Sequence, residues 1–195
     1  MNVSLIKRGL MSLVMAGVLA ACSQDDQTSA SAGPVADDKL ETRFVTIATG
    51  GSSGPYNIIG TTLSQIYSKT YGANSKSQTT GASIQNINLV HQGKAEMALV
   101  MSDALSQAME GTGPFPNKIE NVEQMAALYS NYVQIVTSKS SGIKTMADLR
   151  GKRVAVGDLN SGTEMNARAL LKGHGITYDD MKVDYLGFAE AVDAL

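Results

Sequence analysis

Residues 50–56 have the sequence Gly-Gly-Ser-Ser-Gly-Pro-Tyr and connect an apolar run at 44–48 to an amphipathic run at 55–71. The apolar run is typical of a buried strand. In the amphipathic run, apolar residues such as Ile66 recur at the spacing of one helix face. Pro55 suits the first helical position because proline has no amide hydrogen. The stretch therefore predicts a strand, a glycine-rich loop and a helix, in that order.

Loop 50–56 combines three features that suit an anionic ligand. Its glycines let the backbone approach a ligand closely, its two serine hydroxyls can donate hydrogen bonds, and the unpaired N–H groups of a helix start carry partial positive charge. Carboxylate and phosphate groups bind at such starts. We therefore take Gly51, Ser53 and Tyr56 as candidate ligand contacts. The structural alternatives are a plain turn, a helix cap for Ser53 and core packing for Tyr56.

Two enzyme motifs compete for this loop. Residues 50–54 match G-x-S-x-G, which between a strand and a helix would make Ser52 a hydrolase nucleophile. A triad also needs a histidine, and neither His91 nor His174 stands near an acidic residue in a suitable arrangement. A P-loop would need a lysine followed by serine or threonine after the last glycine, where this chain has Pro-Tyr. We exclude the P-loop and keep a serine hydrolase as an alternative.

Composition excludes some partners. The chain has 195 residues, of which 43% are hydrophobic and 17% are charged, and its formal net charge is −2. These values are typical of a globular protein and provide no basic surface for nucleic acid. We therefore expect no nucleic-acid partner.

Residues 1–22 have the layout of a lipoprotein export signal. Lys7 and Arg8 precede a short apolar run, and small residues precede Cys22, the single cysteine of the chain. This pattern predicts cleavage before Cys22, lipid modification of its sulfur, and a protein held at a bacterial membrane on the periplasmic or cell-surface side. Residues 23–43 are rich in small and polar residues, which predicts a flexible tether.

Strand and helix patterns alternate beyond the tether, which predicts the α/β fold class with a largely parallel sheet. Strands at 75–80 and 95–101 are each followed by a helix start, with Thr80 or Ser83 as the expected cap of the first of these helices. Ligands of open α/β sheets bind beyond the carboxyl ends of the strands. Successive strand-to-helix junctions are therefore expected to meet at one crevice.

The first turns of these two helices supply three further candidate contacts, namely Ser83, Asn86 and Asp103. Asp103 could orient an ammonium group of a ligand. Its structural alternative is a favourable interaction with the dipole of its own helix. For Ser83 and Asn86 the alternative is simple surface exposure.

The second half of the chain repeats the pattern. Strand-like runs at 125–129 and 132–137 predict a passage to a second lobe, and Tyr129 in this passage is a candidate contact with core packing as its alternative. A further helix start follows a predicted strand at 153–156 and contributes Ser161, Gly162 and Thr163. Ordinary helix capping is the alternative for these three residues.

Several stretches in this order resemble the solute-binding proteins of tripartite ATP-independent periplasmic (TRAP) transporters, specifically the TAXI class. The similarity extends from about residue 44 to residue 195. The stretches are 49–56, 81–86, 97–103, 148–157 and 161–163.

The resemblance implies a two-lobed fold of the periplasmic-binding-protein type II, with a ligand clamped between the lobes and closure by a hinge motion. Lobe 1 is expected at 44–135 and lobe 2 at 136–195. Members of this class continue well beyond the corresponding position. We therefore expect a chain truncated at its carboxyl end, in which lobe 2 and the return to lobe 1 are incomplete.

The resemblance also implies the function. It predicts a non-catalytic protein that captures a small carboxylate, either a glutamate-like amino acid or a dicarboxylate, and passes it to TRAP permease subunits in the membrane. We expect no cofactor and no metal. A receptor for a sensor or an ATP-driven (ABC) permease is the rival binding function, and a non-functional remnant is a further alternative.

Overall fold

The computed structural model of the chain describes residues 40–195. The predicted export signal at 1–22, its Cys22 and most of the predicted tether lie outside the described residues. Those predictions stay predictions. Within the described part of the chain, no helix is both long and apolar enough to cross a membrane.

The first sheet has three parallel strands, with β1 between β2 and β3. Val45 and Ile47 of β1 are buried, so the central strand contributes its apolar side chains to the core. Each strand is followed by a helix, as expected for a parallel sheet with crossover connections. The elements are β1 Phe44–Ala48, α1 Pro55–Tyr71, β2 Asn74–Gln78, α2 Ser83–His91, β3 Met97–Ala98 and α3 Ser102–Glu110.

The second sheet has two parallel strands, which pair from Arg153 with Lys182 to Ala155 with Asp184. A helix again follows each strand. The elements are β4 Arg153–Ala155, α4 Gly162–Gly173, β5 Lys182–Asp184 and α5 Phe188–Asp193, with short 3-10 helices at Lys139–Ser141, Met146–Leu149 and Tyr178–Asp180.

The apolar core is divided into clusters that follow the two sheets. One cluster joins Ile84 and Ile87 of α2 to Ala104 of α3 and also includes Met165 of α4. A separate cluster beneath the second sheet is centred on Ile176. Met165 therefore links the helix after β4 to the helices of the first sheet by direct packing.

The predicted α/β fold class with parallel sheets is confirmed. The bounds of β1 and the span of the helix at 55–71 also agree with the prediction. The division into lobes at 44–135 and 136–195 is not tested by these elements and stays a prediction.

One predicted strand is shorter than expected, and two further predicted strands do not form in the described residues. The strand expected at 95–101 is reduced to Met97–Ala98, and the runs at 125–129 and 132–137 are irregular and exposed. An apolar run becomes a strand only when a neighbouring strand pairs with its backbone. β3 pairs with β1 only at Met97 and Ala98, and among residues 40–195 no strand pairs with the run at 125–137. Sequence pattern alone therefore overestimated these strands.

The predicted apolar face of α1 is confirmed in part, because Leu63 and Tyr67 pack against the core around β1. Ile66, which belongs to the predicted apolar face, is 48% exposed, whereas Gly60 and Ser64 are buried. A Cβ atom at position 60 would overlap the side chain of Thr49 and lie 3.4 Å from Leu99. Close approach of α1 to the end of β1 therefore requires glycine at this position.

We expect Gly60→Ala to lower the free energy of unfolding by about 1–3 kcal/mol, because overpacking a tight core has a cost of this size. Gly173→Ala in α4 is the matched control, since no atom lies within 4 Å of its added Cβ. The control should be neutral or slightly stabilising because alanine favours helix. Urea unfolding, followed by circular dichroism, measures the free energy of unfolding of both variants. Equal stabilities of the two variants would contradict the close approach of α1 to β1.

Candidate functional site

A buried amide holds the carboxyl ends of the first sheet together. The side chain of Asn86, on α2, is 0% exposed. Its Nδ2 donates to the carbonyl oxygens of Thr49 and Leu99, the latter at 2.8 Å, and its Oδ1 accepts from Thr80 Oγ1 at 2.6 Å. One side chain thus joins the loops that follow β1, β2 and β3. This network sets the start of α2 relative to the sheet.

A cavity of about 90 Å³ lies at the ends of both sheets. It is bordered by the glycine-rich loop after β1 and by the helix starts that follow β2 and β4. The structure brings eight of the predicted site residues to its wall. They are Gly51, Ser53, Tyr56, Ser83, Tyr129, Ser161, Gly162 and Thr163.

The structure does not bring Asn86 and Asp103 to this cavity. The amide of Asn86 makes the hydrogen bonds of the network described above, and its role as a ligand contact stays a prediction. Asp103 Oδ1 accepts from the N–H of Ala104 at 2.8 Å, at the start of its own helix. Asp103 borders a larger groove beside β3, which shares Tyr56 and Tyr129 with the cavity. For Asp103 the geometry thus matches the structural alternative.

Helix starts from both sheets present N–H groups at the cavity. Tyr56 lies in the first turn of α1, and Gly162 and Thr163 lie in the first turn of α4. Among residues 40–195, the N–H groups of these three have no hydrogen-bond acceptor. Ser161 Oγ accepts from the N–H of Glu164 at 2.9 Å, which is ordinary capping by a residue that also borders the cavity. The free N–H groups give the wall a positive potential.

The start of α2 is capped differently from the prediction. Neither Thr80 nor Ser83 caps it by a side chain. Instead the carbonyl oxygen of Asn160 accepts from the N–H groups of Ile84 and Gln85, at 3.1 and 3.3 Å. Asn160 has a φ of 63°, in the left-handed region, which asparagine tolerates better than most residues. The loop between β4 and α4 therefore caps a helix of the first sheet.

Gly162 allows the starts of α4 and α2 to approach each other. A Cβ atom at position 162 would lie 2.5 Å from Met101 Sδ and 2.8 Å from Ser83 Oγ. Ser83 Oγ in turn accepts from the N–H of Met101 at 3.0 Å. The predicted contacts Ser83 and Gly162, from opposite sheets, are thus direct neighbours.

A model of the NMT1-like family matches residues 47–195. The chain belongs to the NMT1-like family. Among solved structures, it is similar to the alkanesulfonate-binding protein SsuA from Xanthomonas axonopodis pv. citri bound to MOPS, with 17% sequence identity and a TM-score of 0.49. The match covers 80% of this chain and 51% of that one, so the chain spans about half the length of SsuA. The finer assignment to the TAXI class stays a prediction.

Two tyrosines form an aromatic wall of the cavity in this NMT1-like chain. The rings of Tyr56 and Tyr129 meet edge to face with centroids 6.4 Å apart, and Tyr56 Oη accepts from Asn131 Nδ2 at 3.2 Å. Burial raises the pKa of Tyr56 above its ordinary value, and burial also raises the pKa of Tyr129. Both phenols are therefore neutral near pH 7 and able to donate hydrogen bonds.

The prediction missed several residues of the cavity wall. Gly157 and Asp158 follow β4, and Leu186, Gly187 and Phe188 follow β5. The rule that ligands meet the carboxyl ends of parallel strands, applied to the second sheet as it was to the first, would have found them. Among the residues that border the cavity, Asp158 has the only side chain that is charged at neutral pH.

Two arginines of the described range, Arg153 and Arg168, bind acidic side chains away from the cavity. Arg153 pairs with Asp184 at 3.0 Å on the surface. Arg168 binds Glu164 and stacks over the ring of Tyr178, whose hydroxyl donates to Glu164 Oε1 at 2.8 Å. No arginine of the described residues borders the cavity.

The histidines do not support a hydrolase site. His91 Nδ1 is hydrogen-bonded to Asn121, and His174 Nδ1 to the carbonyl oxygen of Leu170. Neither histidine borders the cavity, and Ser52 lies outside its wall as well. In the part of the chain that the structure describes, Ser52 thus lacks a histidine partner. Across the same residues, no group of three histidine, cysteine, aspartate or glutamate side chains is arranged to hold a metal ion.

We expect Asn86→Ala to lower the free energy of unfolding by at least about 2 kcal/mol, because each buried polar group left without a partner costs about 1–3 kcal/mol. Asn88→Ala on the same helix is the matched control. The Asn88 amide makes one half-buried bond, to the carbonyl oxygen of Ile84 at 3.0 Å, so its loss should cost less than about 1 kcal/mol. Urea unfolding distinguishes the two. A cost for Asn86→Ala no larger than for the control would refute the role of the buried amide.

Proposed function

We propose that this chain is the ligand-capturing part of an extracytoplasmic solute-binding protein, and that its ligand carries a carboxylate. One observation carries the proposal. N–H groups without acceptors, at the starts of two helices from different sheets, border one cavity. Helix starts bind anions because their free N–H groups and the helix dipole act together.

The hydroxyl groups around the cavity support the same ligand class. Ser53 is exposed at its mouth and lies in the loop before α1, and Thr163 lies in the first turn of α4. A hydrogen bond to a charged group contributes about 1.5–3 kcal/mol. Two or three such bonds, with the aromatic wall of Tyr56 and Tyr129 beside them, would contribute several kcal/mol to binding without any catalytic group.

The remaining parts of the proposal rest on the sequence. The apolar segment before Cys22 supports export and a lipid anchor on the periplasmic or cell-surface side. The resemblance to TAXI-class proteins supports TRAP permease subunits as the membrane partner. Membership of the NMT1-like family supports the solute-binding class as a whole.

Calorimetry with small monocarboxylates, their primary amides and sulfonates of matched size tests the ligand class. We expect the carboxylates to bind at least tenfold more tightly than the uncharged amides, since only a charged oxygen gains the charge-assisted bonds. Sulfonates that bind as tightly as carboxylates would extend the class to other anions. Equal binding of acids and amides, or no binding of either, would refute the proposal.

We expect Ser53→Ala to weaken carboxylate binding about tenfold, which corresponds to the loss of about 1.4 kcal/mol. Ser52→Ala is the matched control, because this neighbouring serine is exposed and does not border the cavity. Its affinity should equal that of the unchanged chain. The same pair tests the hydrolase alternative: ester turnover that is lost in Ser52→Ala would contradict a binding function, whereas binding without turnover supports it.

A further inference from the structure

Asp158 lies in the loop after β4 and borders the cavity. Its Oδ2 is 3.6 Å from the place where a Cβ atom on Gly51 would stand and 3.4 Å from the corresponding place on Gly187. The carboxylate thus reaches the glycine-rich loop after β1 and the loop after β5 at once. Asp158 is thus a half-buried residue of the cavity wall.

This carboxylate has no cationic neighbour among the described residues. Within residues 40–195, the carboxylate of Asp158 makes no hydrogen bond and no ion pair. The described wall of the cavity contains no lysine, arginine or histidine. Glu190 is close to the same loop, with its Oε2 2.6 Å from the Cβ position of Gly187. Burial, together with the negative charge of Glu190, raises the pKa of Asp158 above its ordinary value. Among the described residues, this partly buried carboxylate therefore has no cationic partner.

The cavity consequently has two electrostatic sides. The starts of α1 and α4 provide N–H donors, which attract an anionic group. Asp158 repels a second anionic group and attracts a cationic one, and both effects are strong where water is partly excluded. A ligand that is negative at one end and positive at the other satisfies both sides.

We propose that Asp158 selects ligands that carry a protonated amine beside their carboxylate, and that it discriminates against dicarboxylates of the same size. The inference rests on the proposed function and names the substrate class of the same cavity. Asp158 would bind the ammonium group directly, through a charge-assisted hydrogen bond. The residue chosen for this role from the sequence, Asp103, is turned to its own helix start instead.

The test compares amino acids with their 2-hydroxy analogues, which replace the amine by an uncharged group of similar size. Calorimetry on the protein without substitutions compares the affinity for alanine with that for lactate, and the affinity for aspartate with that for malate. We expect each amino acid to bind at least tenfold more tightly than its analogue. Because this comparison needs no variant, it is independent of any effect of mutation on folding.

Asp158→Asn keeps the shape of the side chain and removes its charge. We expect this variant to lose at least tenfold in affinity for the amino acids and to bind the hydroxy acids as well as before or better. Asp179→Asn is the matched control, since Asp179 is exposed on the 3-10 helix Tyr178–Asp180 and away from the cavity wall. Its affinities should not change. Equal thermal stability of the two variants confirms that both are folded.

The outcomes separate the two proposals. Carboxylates that bind without any preference for the amine, or an equal loss for both ligand types in Asp158→Asn, would overturn the role of Asp158 and leave the carboxylate site intact. Absence of binding for every acid would overturn the proposed function itself. A preference for the amine that survives in Asp158→Asn would also refute the inference.

Discussion

The buried side-chain amide of Asn86 is the constraint on which the rest of the site depends. The carboxyl ends of parallel strands are loops with unpaired backbone groups, and in a closed core those groups need partners. Asn86 supplies them for the loops after β1 and β3 and also accepts from Thr80. Because one rigid side chain makes all these bonds, the glycine-rich loop and the start of α2 have a fixed relation to each other. The first half of the cavity is therefore set before any ligand arrives.

The part of the cavity formed by the start of α4 is positioned by side-chain packing and by the carbonyl oxygen of Asn160. Met165 of α4 joins the apolar cluster of α2 and α3, and Gly162 permits contact with Met101 and Ser83. These contacts bring the start of α4 against the start of α2. Their consequence is that residues after both sheets share one cavity, although the strands of the two sheets do not pair with each other.

The sequence predicted those features that have a local cause. β1 and α1 have the predicted bounds, because apolar spacing and Pro55 mark them within a few residues. The same logic placed a helix start at 161–163. It failed for the apolar run at 125–137, since strand formation depends on a neighbour that the pattern does not encode. It did not anticipate that the amide of Asn86 serves a buried network. It also missed Asp158, although this residue follows β4 at the sheet edge where ligands of parallel sheets bind.

The capping of α2 by Asn160 could not be predicted, because a backbone carbonyl leaves no trace in the sequence. This oxygen stands where an oxygen of a bound anion would stand, and it already holds two donors of the helix. To bind the N–H groups of Ile84 and Gln85, an anion would have to displace the carbonyl oxygen of Asn160. The binding free energy gained there would be only the difference between two similar hydrogen bonds. The molecule thus contains an internal competitor at α2, so the net gain available to an incoming anion is concentrated at α1 and α4.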